Sequence, residues 1–196
     1  MNKASHFYLA KYITKHFLQD QPLLYRLAFI AGSIEPDLNP VTYLRGFKTV
    51  ERFRGHNYLN VAPTIEHLTF ELNYDGQYDF HTFYFLGKLA HYTTDAFTFP
   101  HNTTFKGRIR DHIWYERILQ EHFKQFLEVS KYAHIKERDL QTIFSMIAAR
   151  HEAYMKTPTS LDVDIAYTFN TVSLLVALYL EALAYVPAQM LAAQTV

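Results

Sequence analysis

The sequence predicts an all-α fold. Apolar residues recur with a 3.6-residue period along most of the chain, strand-like alternation is scarce, and no repeat or low-complexity tract interrupts the pattern. The simplest organisation is one domain over residues 1–196, long enough to bury a full core without staples. Hydrophobic residues make up 49% of the chain, which excludes disorder. The 15 Tyr and 16 Phe are read mainly as core-fillers, because large rings fill the spaces between helices.

The helices are placed in order. The first spans roughly 4–18, with Phe7, Tyr8, Ala10 and Ile13 as inward candidates. The second runs from about 21 to 31, with Pro22 near its first turn and Gly32 at its end. Ser33 to Arg54 contains Pro36, Pro40 and Gly46 and reads mostly as loop, long enough to serve a site. A third helix starts near Ala62-Pro63 and runs to about Asn73, before the Asp75-Gly76 turn. Further helices follow at roughly 79–98, 108–130, 137–155 and 161–185, then a short amphipathic tail. Pro100 stops the 79–98 helix and leaves His101 just past its end.

Charge and composition narrow the function. The formal net charge is zero, so the chain lacks the basic excess that marks a duplex nucleic-acid partner. Cys is absent, which removes disulfides and thiolate ligands together; any metal must rest on N and O donors. The stretch from Leu9 to Leu18 is interrupted by Lys11, Lys15 and His16 and reads as no signal peptide, so the chain is expected to be cytoplasmic and without a cleavable leader. The most apolar segment, Ile165 to Leu180, is 16 residues long and contains Thr168, Asn170 and Ser173; it reads as a core helix rather than a transmembrane span.

The chemistry is concentrated between residues 91 and 116. His91 and Asp95 stand four apart, as do His112 and Glu116, so each pair projects from one helix face. With His101 between them, imidazole and carboxylate from two neighbouring helices make a first shell for a borderline divalent ion such as zinc, in excess of what one tetrahedral ion needs. Upstream, Asp37, His56 and His6 are further candidates. Each has a plainer reading as well: Pro36-Asp37 as a turn, His56 as a loop residue, His6 as a cap or surface residue. Among the 11 His, His16, His67, His81, His122, His134 and His151 match no motif and read as structural or surface. Trp114 and Tyr115 read as packing within the ligand helix.

The ordered series His6, Pro36-Asp37, His56, His91-x3-Asp95-x5-His101 and His112-x3-Glu116, with Leu86-Gly87 ahead of it, resembles the zinc-dependent phospholipase C family, whose fold is shared with single-strand-specific zinc nucleases. The resemblance covers roughly residues 1–120 and implies an all-α multi-helix bundle holding two or three zinc ions. Carried over, Asp37, His56, His91 and Asp95 would hold one ion, and His101, His112 and Glu116 a second. Asp95 would bridge to a third ion, bound also by His6 and the amino-terminal residue, here Met1, where the family's mature chains offer Trp.

Three zinc ions against Asp37, Asp95 and Glu116 leave about three positive charges in excess, a pocket for an anionic phosphate without any basic surface patch. The expected reaction is hydrolysis of a phosphodiester, phospholipase C-like, with Asp37 orienting or deprotonating the attacking water. Tyr43, Phe47 and Phe53 are candidates to line the mouth and contact the substrate, by cation–π attraction to a headgroup or by stacking on a base. The resemblance favours a phospholipid substrate. The alternatives are a single-strand nuclease, nucleotidase or small phosphodiesterase with the same ions, or a catalytically idle zinc protein that binds a phosphorylated ligand.

Overall fold

The computed structural model describes residues 1–43, 55–74, 79–131 and 143–193, with side chains at all of these except 43, 73, 74 and 183–193. Among the described residues there are eight α-helices and no strand: α1 (Lys3–His16), α2 (Leu23–Leu38), α3 (Pro40–Tyr43), α4 (Tyr58–Tyr74), α5 (Phe80–Ala96), α6 (Ile109–Val129), α7 (Ile143–Lys156) and α8 (Leu161–Ala193). A 3-10 turn, Phe99–His101, lies between α5 and α6. The all-α expectation holds.

The helix starts are set by short polar side chains. Asn2 Oδ1 accepts from the Ser5 amide at 3.1 Å and begins α1, and Asp79 Oδ1 accepts from the Thr82 amide at 2.9 Å and begins α5. At α6, Asp111 Oδ2 reaches back to the Arg108 amide at 2.7 Å. Each satisfies an amide that has no partner within its helix.

α5 is the central helix. It is buried on almost every side between Thr82 and Ala96, packed by α2, α4 and α8, with Phe83, Leu86, Leu89 and Tyr92 fully inside. α1 and α2 cover its metal-bearing end, and Leu119 and Phe123 of α6 join the same core. α8 contributes Ile165, Phe169, Val172, Val176 and Tyr179. Over Leu161–Ala182 α8 is long and apolar enough to cross a membrane by length and composition, and 72% of its most apolar window is buried inside the protein.

Several boundaries differ from the sequence reading, for identifiable reasons. α2 does not stop at Gly32 but runs through it and through Pro36 to Leu38, so residues 33–38 are helix rather than loop. Pro36 removes only the bond its nitrogen would have made to Gly32. Gly32 serves packing, not termination: a Cβ there would overlap the Tyr84 carbonyl of α5. Gly87 faces it from α5, where a Cβ would overlap the Phe29 carbonyl and come within 2.9 Å of Ser33 N. Two backbones therefore touch where most helix pairs are held apart by side chains. Gly87→Ala is expected to cost about 1–3 kcal/mol or more through overpacking, read as a lowered urea midpoint with unchanged slope.

α4 begins at Tyr58, four residues before Ala62, because the Asn57 side chain accepts from the Leu59 amide at 3.2 Å; Pro63 is tolerated inside it. α5 ends at Ala96, two residues short of the expected end. α8 continues as helix to Ala193 where a separate tail was expected after 185. The expected start of the helix at 137 lies outside the described residues. Two packing assignments are corrected as well. Phe7 lies on the exposed side of α1, and Trp114 is exposed on α6, because the core arc of that helix is taken by Leu119, Phe123 and Leu127.

Candidate metal centre

Four helices and two connections deliver nine groups to one place. The α1 end supplies the Met1 amino group and His6, α2 supplies Asp37 from its last turn, and His56 precedes α4. α5 supplies His91 and Asp95, the 3-10 turn His101, and α6 His112 and Glu116. Asp95 is the hub. Its Oδ1 lies against the Met1 amine, 3.2 Å from His6 Nε2 and 3.7 Å from His101 Nε2. Its Oδ2 is 2.9 Å from His56 Nδ1 and 3.3 Å from His91 Nε2.

Asp37 faces the same nitrogens from the other side, 3.7 Å from His56, 3.8 Å from His91 and 4.0 Å from His6. Glu116 Oε1 is 3.0 Å from both His101 Nε2 and His112 Nε2 and 3.3 Å from the Met1 nitrogen. Three sets have ligand atoms all within 4.8 Å of one another: His6, His91 and Asp95; Asp37, His56 and His91; His101, His112 and Glu116. Each could hold a metal ion.

The hydrogen bonds behind the imidazoles decide which nitrogen faces inward. His91 Nδ1 meets the Ser33 carbonyl at 2.9 Å, and His101 Nδ1 the His56 carbonyl at 3.2 Å. A carbonyl only accepts, so both Nδ1 atoms carry the proton and both Nε2 atoms keep a lone pair. His56 Nε2 lies 3.0 Å from Thr42 Oγ1, whose single proton is directed at the Pro36 and Asn39 carbonyls, each 2.7 Å away. The hydroxyl therefore accepts from Nε2, leaving the lone pair of His56 on Nδ1.

The lone pairs of His56 and His91 thus point at Asp95 Oδ2, an arrangement that repels itself until a cation sits between. His101 Nε2 faces Glu116 and, at 3.0 Å, the Met1 amine. The outward donors are the usual second layer of a metal-binding histidine, and an all N and O donor set suits zinc. Thr42→Val keeps the volume and deletes the acceptor. It is expected to weaken zinc at the Asp37, His56 and His91 group about 10–100-fold, measured by competition against a chromogenic chelator.

Electrostatics follow from the burial. His6 is pushed down to about 4 by burial and by His91, so its ring is neutral. Burial likewise lowers His101. Burial opposes charge on the Met1 amine, yet Asp95 and Glu116 outweigh it and raise the group to about 10. Burial also opposes charge on Asp95 and Glu116. The surrounding imidazoles and the amine nevertheless hold both well below the usual carboxylate range.

A second layer absent from the sequence reading braces the ligand segments. Asp164 of α8, fully buried, accepts from the Phe99 amide at 2.8 Å, Tyr115 Oη at 2.9 Å and Tyr154 Oη at 2.7 Å. It thereby ties the turn carrying His101 and the helix carrying Glu116 to α7 and α8, and burial raises its carboxyl to about 6. His151, lowered to about 4 by burial, donates from Nε2 to Asn102 Oδ1 at 2.8 Å and stacks on Tyr58. These contacts place it beside the ligand turn. Tyr43 ends α3, while its side chain and the residues Phe47 and Phe53 lie outside the described residues.

The centre forms one wall of a cleft of about 460 Å³. Met1, Asp37, His56, His101, His112 and Glu116 line that wall. Lys3, Asn57, Phe105, Arg108, Ile109 and Ile113 complete the lining. A family model described as zinc dependent phospholipase C matches residues 5–160. The chain belongs to this family. The matched span takes in every group of the centre except Met1, and it ends just before α8. Neither a curated protein nor a solved structure matches the chain. Membership in the zinc-dependent phospholipase C family implies zinc dependence, and the three His and carboxylate groups supply places where that metal could be held.

Proposed function

We propose that the protein hydrolyses the phosphodiester of a phospholipid, releasing the phosphorylated headgroup, with three zinc ions in the centre. The observation that carries this reading is the convergence of the three ligand groups on the wall of an open cleft, in a member of this family. Asp37, His56, His91 and Asp95 would hold one ion; His101, His112 and Glu116 a second; Met1, His6 and Asp95 a third. Bound zinc would lower the pKa of a water towards about 7 and draw charge from the phosphate oxygens.

The protein's own groups do the rest. Lys3 and Arg108, which also line the cleft, donate to the phosphate and orient it for in-line attack. The Asp37 carboxylate, on the cleft wall and on the last turn of α2, accepts the proton of the attacking water while the bond from phosphorus to the glycerol oxygen breaks. That oxygen takes a proton from water in the cleft as the diacylglycerol leaves. Phe105, Ile109 and Ile113 give the glycerol and acyl portion an apolar surface.

The test is the zinc content of protein beginning at Met1, by elemental mass spectrometry, with hydrolysis of bis-p-nitrophenyl phosphate and of short-chain phosphatidylcholine before and after chelation. Zinc with chelator-sensitive turnover of both is the expected result. Turnover of single-stranded DNA or a 3′-nucleotide alone would replace the phospholipid by a nucleic-acid substrate. Protein that neither carries nor takes up zinc would overturn the reading.

A further inference from the structure

The start of α6 carries an exposed face beside the centre. Ile109, Ile113 and Trp114 are 69%, 59% and 65% exposed, large apolar side chains left to solvent within two turns. At 100° per residue, Ile109, Ile113, Arg117, Arg110 and Trp114 follow one another around about 140° of the helix. His112 and Glu116 occupy the adjacent arc, so this face begins where the metal wall ends. Ile109 and Ile113 belong to both, since they also line the cleft. Arg110 and Arg117 are exposed and sit between the apolar side chains; among the described residues neither takes part in an ion pair. Asp111 lies outside the arc, engaged in capping the helix.

We infer that this face docks on the surface of an anionic lipid bilayer, bringing the cleft mouth to the headgroup layer; the inference rests on the phospholipase reading of the cleft. The chemistry selects the occupant. Trp prefers the boundary between headgroups and acyl chains, where its ring is buried and its N–H stays hydrated. The two Ile reach the apolar side of that boundary, and the interleaved Arg side chains meet lipid phosphates and the negative surface potential. A second copy of the chain would set Arg against Arg across a two-fold axis. A nucleic acid could stack a base on Trp114 but would leave the exposed Ile pair uncovered, which an acyl-chain layer covers. An exposed apolar patch rimming a binding cleft is the setting in which such patches serve association.

The chain contains one Trp, so its fluorescence reports this face alone. Zinc-loaded protein is mixed rapidly with vesicles of phosphatidylcholine alone or with phosphatidylglycerol added, and emission is read before appreciable hydrolysis. The expected result is a blue shift and quenching by brominated acyl chains on the anionic vesicles, diminished by salt.

Arg110→Ser/Arg117→Ser is expected to lower partition onto anionic vesicles roughly tenfold or more, and Trp114→Ser to lower it in a vesicle-pelleting assay. Both leave hydrolysis of soluble bis-p-nitrophenyl phosphate unchanged. Unshifted emission with every vesicle, while soluble turnover persists, overturns the docking face and leaves the phosphodiesterase reading standing. A blue shift that grows with protein concentration in the absence of lipid also overturns it, in favour of self-association. Vesicle docking without any turnover of the soluble diester supports the face and counts against the enzyme reading instead.

Discussion

Asp95→Asn is expected to strip zinc from the centre and reduce diester hydrolysis by more than the roughly 100-fold that marks the upper end of losing a second-layer partner. The reason is geometric. Both carboxylate oxygens are engaged, Oδ1 towards Met1, His6 and His101, and Oδ2 towards His56 and His91. Asn preserves the volume, so α5 and its packing should survive, as far-UV circular dichroism would show. What is lost is the charge, with an amide N–H₂ turned towards nitrogen lone pairs. Elemental analysis of the variant decides the matter: full zinc content with wild-type turnover would remove Asp95 from the ligand set.

Adding two residues ahead of Met1 is expected to cost one zinc per chain while sparing the others. The Met1 nitrogen is buried against Asp95, Glu116 and His101, and a preceding peptide unit would turn that amine into an amide with no lone pair to offer a metal. The same amine gives this site its own pH signature. Its pKa is about 10 in the metal-free fold against 8.0 ordinarily. Because the folded state holds the proton more tightly, the amine stabilises the metal-free fold fully below about pH 8, by about 3 kcal/mol, and that contribution disappears as pH rises through about 10.

Zinc at this nitrogen must displace the proton. At neutral pH its binding should release one proton from the amine, and affinity should climb about tenfold per pH unit until about 10. Potentiometric zinc titrations of the chain beginning at Met1 and of the extended chain measure the difference directly.

The parts of the centre that the sequence displayed are those governed by local periodicity. His91 with Asp95 and His112 with Glu116 share faces simply because an α-helix has 3.6 residues per turn. Asp37, His56 and His6 have no such neighbours and gained meaning only from their order along the chain. The outward partners were invisible: the carbonyls of Ser33 and His56 and the hydroxyl of Thr42 become donors' partners only after α2, α3 and α5 have packed.

The misplaced end of α2 has the same origin. Gly32 and Pro36 look like terminators in isolation, whereas tertiary packing uses Gly32 to bring two backbones together. That contact also matters to the site, since it fixes the distance between the helix carrying Asp37 and the one carrying His91 and Asp95. Trp114 reads as a packing residue from sequence because aromatic residues usually pack. Only the helix-wheel position of Leu119 and Phe123 shows that the core arc was already full.

The ligand positions run from residue 1 to residue 116 and come from segments far apart along the chain. A filled centre would therefore cross-link the chain across loops of up to about a hundred residues. In the chain-entropy account, closing a loop of that size with a disulfide is worth about 4.7 kcal/mol. The protein has no cysteine with which to make such a link. Its metal ions would take over that mechanical task alongside the chemistry, and its thermal midpoint would then follow free zinc rather than redox conditions.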